Sequence, residues 1–232
     1  MPPTAKATAH GPESNPDDLL IGGALSLGLR LKPADVSAFR IYREEILRWS
    51  ERMNLTALTT PAQVVQQGFL DSLVCGALVP RGAQRVLDVG SGAGFPAIPI
   101  ALIRPDLQFI LVEPTRKKVT FLKHVTRQLQ LTHVHIRPGR LEEFLGDKTM
   151  RDTFDVALAR AVAPLPESGR KVRPFLRPQG VFLAQVGSGV TAGGSARRLT
   201  CSGFENVGEA EVPPEFGKPG RRIVALRKTT TP

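Results

Sequence analysis

Residues 85–94 read Arg-Val-Leu-Asp-Val-Gly-Ser-Gly-Ala-Gly, a short aliphatic run carrying Asp88, followed by Gly90, Gly92 and Gly94 at alternate positions. A backbone stripped of side chains in this way can turn sharply and lie against a ligand. Two anion cradles do not fit the spacing. A P-loop ends in lysine and a hydroxyl residue, and neither follows these glycines. A dinucleotide turn spaces its glycines G-x-G-x-x-G. Here the third comes one residue early, and Asp88 would set a negative charge beside a pyrophosphate.

A carboxylate at that place suits a cation better. The sulfonium and ammonium groups of S-adenosylmethionine supply one, so this is the expected cofactor, with Asp88, Gly90, Gly92 and Gly94 as its first contacts. The next hydrophobic run, Phe-Ile-Leu-Val-Glu, ends in Glu113. An acid at a second strand tip can accept hydrogen bonds from both hydroxyls of a ribose.

Such residues need elements to hold them. From residue 85 onward, short β-branched or aliphatic runs at 85–90, 109–114, 134–139, 154–162 and 181–187 alternate with helix-like segments at 99–103, 116–131, 141–145 and 167–176. That alternation predicts a Rossmann-like, mostly parallel sheet with helices on both faces. Two closing runs, 204–213 and 221–228, have no helix between them and predict an antiparallel hairpin at a sheet edge. Ahead of the sheet the spacing predicts three helices. Asp17 or Asp18 caps the first, Pro33 opens the second, and the third covers 61–78. In the second, Val36, Phe39, Tyr42, Ile46, Trp49 and Met53 form one apolar stripe. Its charged face, with Arg40, Arg43, Arg48 and Arg52, reads as solvated or as a surface for phosphate. The expected organisation is a disordered tail at 1–16, a helical extension at 17–80 and a methyltransferase domain at 81–232. A glycine-rich loop occupies 187–195.

Composition narrows the partners. Among 232 residues, 31 Lys and Arg against 21 Asp and Glu give a net charge of +10. That excess favours a polyanion such as nucleic acid, or an acidic membrane surface, over a neutral partner; the plainer reading is a solubilising charge. The two cysteines, Cys75 and Cys201, lack metal-ligand spacing and fit a reducing compartment. His124, His133 and His135 lack it as well, so no metal is expected. The apolar stretch at 19–31 contains Gly22, Gly23, Gly28 and Arg30 and is too short to span a bilayer. The expectation is a soluble, cytoplasmic monomer. Arg116, Lys117, Lys118, Lys123 and Arg127 follow the second strand, either as an RNA phosphate-binding face or as a solvated helix face. Asn54 organises a turn or contacts a target base.

Several blocks, "NLTALTTPAQVVQQGFLDSLV", "DVGSGAGFPAIPIAL", "RKKVTFLKHV", "GRLEEF" and "ARAVAPL", resemble the bacterial small-subunit ribosomal RNA guanine-N7 methyltransferases, also called glucose-inhibited division protein B. The similarity runs from about residue 35 to 187. The resemblance implies a class I fold and S-adenosylmethionine as methyl donor. It implies as target N7 of a guanine in the 530 loop of 16S rRNA, within naked RNA or the assembling small subunit. The cofactor contacts it implies fall on Gly90, Phe95, Leu141, Glu142 and Arg160. Where the family commonly has histidine ahead of its "LDS" aspartate, this chain has Gly68. The family's lysine after the fifth strand is absent around Gln185 and Val186, and an Asp-Ser pair is replaced by Glu113-Pro114.

Guanine N7 offers an in-plane lone pair and carries no proton, so its methylation needs no general base and no catalytic side chain is expected beyond positioning. The fourth strand leads into Ala-Arg-Ala-Val-Ala-Pro, without the Asn/Asp-Pro-Pro-aromatic element that grips an exocyclic amine. No Pro-Cys supplies a nucleophile for carbon methylation. Arg160 would meet the methionine carboxylate or guanine O6; its structural alternative is an ion pair with Asp155 or Glu142. The competing functional readings are a related methyltransferase with another RNA target, a non-catalytic RNA-binding scaffold and a dinucleotide oxidoreductase.

Overall fold

In a computed structural model the described residues are 15–160, 164–187, 203–217 and 219–229. The tail before Asn15, most of the glycine-rich loop and Cys201 lie outside them. Seven strands form one sheet in the order β3-β2-β1-β4-β5-β7-β6. The first five, β1 (Arg85–Val89), β2 (Gln108–Glu113), β3 (Val134–Pro138), β4 (Phe154–Arg160) and β5 (Leu176–Val186), are parallel. The antiparallel pair β6 (Phe204–Glu211) and β7 (Arg222–Lys228) closes one edge, with β7 against β5. The expected hairpin is therefore present.

Side-chain alternation divides the core into two layers. Val86, Leu111, Leu158 and Leu183 face a layer that also contains Leu20, Phe39, Tyr42, Phe69 and Ile100. Leu87, Val112, Ala157 and Phe182 face another, covered by Leu165 and Val172. The N-terminal helices thus share one core with the sheet. They are α1 (Pro16–Ser26), α2 (Pro33–Ser50), and α3 (Pro61–Gln63) joined to α4 (Asp71–Ala77) by a π-helical stretch, Val64–Leu70.

Several boundaries differ from expectation for local reasons. Helix α1 is capped by Asn15, whose side chain accepts from the Asp17 N–H at 3.0 Å, and Pro16 opens it. Asp17 serves instead as the shared anion of Arg40 and Arg43, so two arginines of the supposed phosphate face are internally paired. Helix α5 covers Ala97–Ile103. Helix α6 spans Arg116–Gln128 and stops short of 131, where Gln130 turns to a φ of 54°. The segment at 141–145 is a 3-10 turn, Leu141–Phe144. Helix α7 is Leu165–Val172 rather than 167–176. Arg173 keeps helical dihedrals as the cap, but Pro174 has no N–H to continue the ladder, and Leu176 begins β5.

Candidate cofactor site and RNA surface

Register sets the site. Val89 pairs with Val112 on one side and Ala159 on the other. Glu113 and Arg160 therefore stand one residue beyond the same row, flanking the turn that leaves β1. Arg160 in turn is level with Gln185, and Gln185 with Ile223. The chain leaves β1 through Gly90, Gly92 and Gly94 at φ of 67°, 60° and 96°, a left-handed region that L side chains rarely adopt. The Gly90 N–H donates to the Val112 carbonyl at 2.8 Å.

Beside this turn lies a cleft of about 410 Å³ whose wall includes Gly90, Gly92, Phe95, Glu113, Lys118 and Arg160. Five of the nine sequence-predicted cofactor residues are thus brought together. Leu55 and Thr56 close another side from the loop after α2. Gly94 does not line the cleft; a Cβ there would come within 2.6 Å of the Tyr42 hydroxyl and 2.5 Å of Ile98 Cδ1. Tyr42 donates to the Ala93 carbonyl at 2.6 Å, bracing the turn from α2. In the sequence Tyr42 is one member of an apolar stripe, and its hydroxyl was the only sign of this role.

Glu113 is buried and bonded on both oxygens. Oε2 accepts from the Gly92 N–H and Oε1 from the Thr115 N–H, each at 2.8 Å. Each carboxylate oxygen keeps a second lone pair for a hydroxyl donor. Asp88 lies behind the turn, fully buried, and neither of its carboxylate oxygens has a hydrogen-bond partner. Burial above all, with the nearby Glu113 charge, pushes its carboxyl up to about 7. An orphaned acid beneath a bare glycine turn is suited to a cationic ligand, which would restore its charged form. The residues present therefore fit S-adenosylmethionine.

Arg160 is mostly buried, with its guanidinium 5.5 Å from the centre of the Phe95 ring and Nη1 without a hydrogen bond. Its acidic neighbour is Asp71, 3.6 Å away, and neither of the two anticipated acids. Asp155 accepts from the backbone of Gln84 and Arg85 and pairs with Arg177, while Glu142 pairs with Lys171. Asp71 is fully buried, 2.7 Å from Arg221 and bonded by Gln185 Nε2 at 3.0 Å. Burial outweighs both arginines and raises its carboxyl above the ordinary range. At Gly68 a Cβ would sit 2.6 Å from the Phe95 ring, so that ring fills space a larger residue at 68 would claim.

Leu141 and Glu142 lie apart from this wall. Leu141 is in the opposite core layer, and Glu142 is half-exposed and held by Lys171 at 3.0 Å. The five predicted RNA-binding cations divide. Lys118 lines the cofactor cleft and Lys117 the adjoining hollow, while Arg116, Lys123 and Arg127 lie exposed on α6. Asn54 lines the adjoining hollow and not the cleft. Among the described residues no His, Cys, Asp or Glu cluster could hold a metal, and no helix is long and apolar enough to cross a membrane.

The strand order, the glycine turn after β1 and the acid at the tip of β2 define a class I S-adenosylmethionine-dependent methyltransferase. Its sheet matches that of TYW2 from Pyrococcus horikoshii, solved in complex with MeSAdo, with a TM-score of 0.56 at 16% identity over 74% of this chain and 64% of that one. The family is fixed by sequence. Residues 35–202 match the model of rRNA small subunit methyltransferase G, and the chain belongs to that family. It is 34% identical to the ribosomal RNA small subunit methyltransferase G of Geobacter metallireducens over 90% of this chain and 94% of that protein. Identity to the Deinococcus deserti protein of the same name is 41%, over 75% and 72%.

Proposed function

We propose that this chain transfers the methyl group of S-adenosylmethionine to N7 of a guanine in the 530 loop of 16S rRNA. The observation that carries the reading is the cleft flanked by Glu113 and Arg160 at matched strand tips, floored by the glycine turn and backed by the unpartnered Asp88.

The bound cofactor supplies an electrophilic methyl on a sulfonium sulfur. Asp88, Gly90, Gly92, Glu113 and Phe95 are the residues that would hold it, with Gly94 keeping the turn in shape. Leu141 and Glu142 remain part of the proposed cofactor set through the family resemblance, in the 3-10 turn that follows β3. Guanine N7 has no proton to lose, so no side chain need act as a base. The chain's contribution is alignment and exclusion of water. Arg160 suits a carbonyl oxygen such as guanine O6 as a guanidinium donor in the cleft wall, held from behind by Asp71 at 3.6 Å. Its proximity to Phe95 places that donor over an apolar wall.

The enzyme works as a cytoplasmic monomer on RNA or on the assembling small subunit, and Arg116, Lys117, Lys118, Lys123 and Arg127 contact phosphate. The proposed organisation keeps a helical segment to residue 80 ahead of the methyltransferase domain. The test is mass-spectrometric mapping of 16S rRNA from cells with and without the gene. Loss of 7-methylguanosine from the 530 loop, restored by the purified protein and methyl donor, is the expected result. Full modification in its absence would refute the target.

A further inference from the structure

A second concavity, about 470 Å³, opens between the end of α2 and the first half of α6 and is walled by Arg48, Trp49, Arg52, Met53, Lys117 and His124. Its inner surface is aromatic and apolar. The half-buried Trp49 ring lies 5.3 Å from His124 and 5.6 Å from Phe121, centre to centre. Its Nε1 donates to Glu45 Oε2 at 3.2 Å, which pins the indole against the wall. Glu45 also pairs with Arg48 and with His124 Nε2. Burial opposes its charge, but bonds from Arg48 and His124 prevail and hold the carboxyl below its ordinary range. The acid at the back of the pocket is therefore already matched. Arg52 and Lys117, at the rim, have no ion pair among the described residues.

A solvated helix face does not require an indole set into a hollow. Stacking surface bordered by uncompensated cations is what a nucleotide needs: a face for the base and charge for the phosphate. The pocket also continues toward the reaction centre. A neighbouring hollow shares Arg52, Met53 and Lys117 with it, and shares Thr115 and Lys118 with the cofactor cleft.

We infer that this pocket receives one unstacked nucleotide flanking the target guanine, its base against Trp49 and its phosphate between Arg52 and Lys117. The inference rests on RNA being the substrate. Duplex RNA keeps its bases stacked, so only a loop or an opened strand can fill the site.

Trp49 is the sole tryptophan of the chain, so indole fluorescence reports on this pocket alone. The full chain is titrated with a hairpin carrying the 16S target loop and with a fully paired duplex of equal length. The loop RNA quenches emission saturably and the duplex does not. Trp49→Leu weakens loop binding by about tenfold, Trp49→Phe recovers most of it, and cofactor affinity measured by calorimetry is unchanged in both. Arg52→Glu with Lys117→Glu abolishes the quench while the melting temperature and cofactor affinity hold. Loop RNA that is bound and methylated without any quench overturns the pocket while leaving the substrate intact. Failure of the native enzyme to bind or methylate the loop at all overturns the substrate, and the pocket with it.

Discussion

Replacing glycines two residues apart in the same turn should produce opposite kinds of damage. At Gly94, alanine would adopt a φ of 96° and drive its methyl group to 2.5 Å from Ile98 and 2.6 Å from the Tyr42 hydroxyl. The left-handed backbone costs roughly 1–2 kcal/mol, displacing packed neighbours another 1–3, and losing the Tyr42–Ala93 hydrogen bond about 1. Together these reach about 3–6 kcal/mol, a fall in melting temperature on the order of 10 °C for a chain of this length. At Gly92 the φ is 60°, but the nearest atom to a new Cβ is the Gly90 carbonyl at 3.8 Å, and the residue lines the cleft. Gly92→Ala should lower stability by only about 1–2 kcal/mol. Its methyl group would stand where a ligand meets bare backbone, and S-adenosylmethionine affinity should fall by at least about tenfold. Thermal melting and calorimetry on both variants decide the matter. Equal melting losses, or native cofactor affinity in Gly92→Ala, would show that the turn is not the floor of the site.

Four further outcomes are expected. Asp88 has its carboxyl pushed up to about 7, so its contribution to stability is complete below the ordinary carboxylate range and is lost as pH rises through 7. The ligand-free protein should therefore lose melting temperature between about pH 4 and 7, and Asp88→Asn should flatten that slope. Because a cation favours the charged carboxylate, cofactor binding near pH 7 should release protons, read by calorimetry in buffers of different ionisation enthalpy; proton uptake would contradict the assignment. Arg221→Met removes the 2.7 Å partner of buried Asp71 and should cost about 3 kcal/mol in urea denaturation, partly recovered by adding Asp71→Asn; a neutral single variant would refute the pairing. Reversing Arg116, Lys117 and Lys118 together should make RNA binding less steeply dependent on salt, and an unchanged slope would move the phosphate surface elsewhere.

Much of this was legible in the chain because it is written locally. The glycine spacing, the acids at 88 and 113 and the strand-helix alternation are short-range patterns, and the cofactor cleft assembles around Gly90, Gly92 and Glu113. Lys117 and Lys118 follow from position alone, since the first turn of α6 must face the tip of β2. What escaped depends on distant chain segments meeting. Arg221 reaches Asp71 only because β7 returns antiparallel beside β5, and no spacing near Arg160 signals that its anion comes from α4. Asp17 looked like a cap because it opens a helical pattern, but a cap two residues earlier, Asn15, freed it to pair with Arg40 and Arg43. Strand β5 begins earlier than its aliphatic run because backbone pairing with Phe154 extends it through polar residues.

Helix α2 touches both ends of the chemistry. Tyr42 secures the bend over which the methyl donor would lie, and Trp49, seven residues on, stands about 10 Å away along the same rod. An α-helix of this length moves as one piece. RNA gripping the far end of that rod would thus tug on the peptide at Ala93, and a donor settled against the bend would in turn steady the place where RNA arrives. The segment preceding the sheet is for that reason a shared beam, and trimming it would loosen both ligands together.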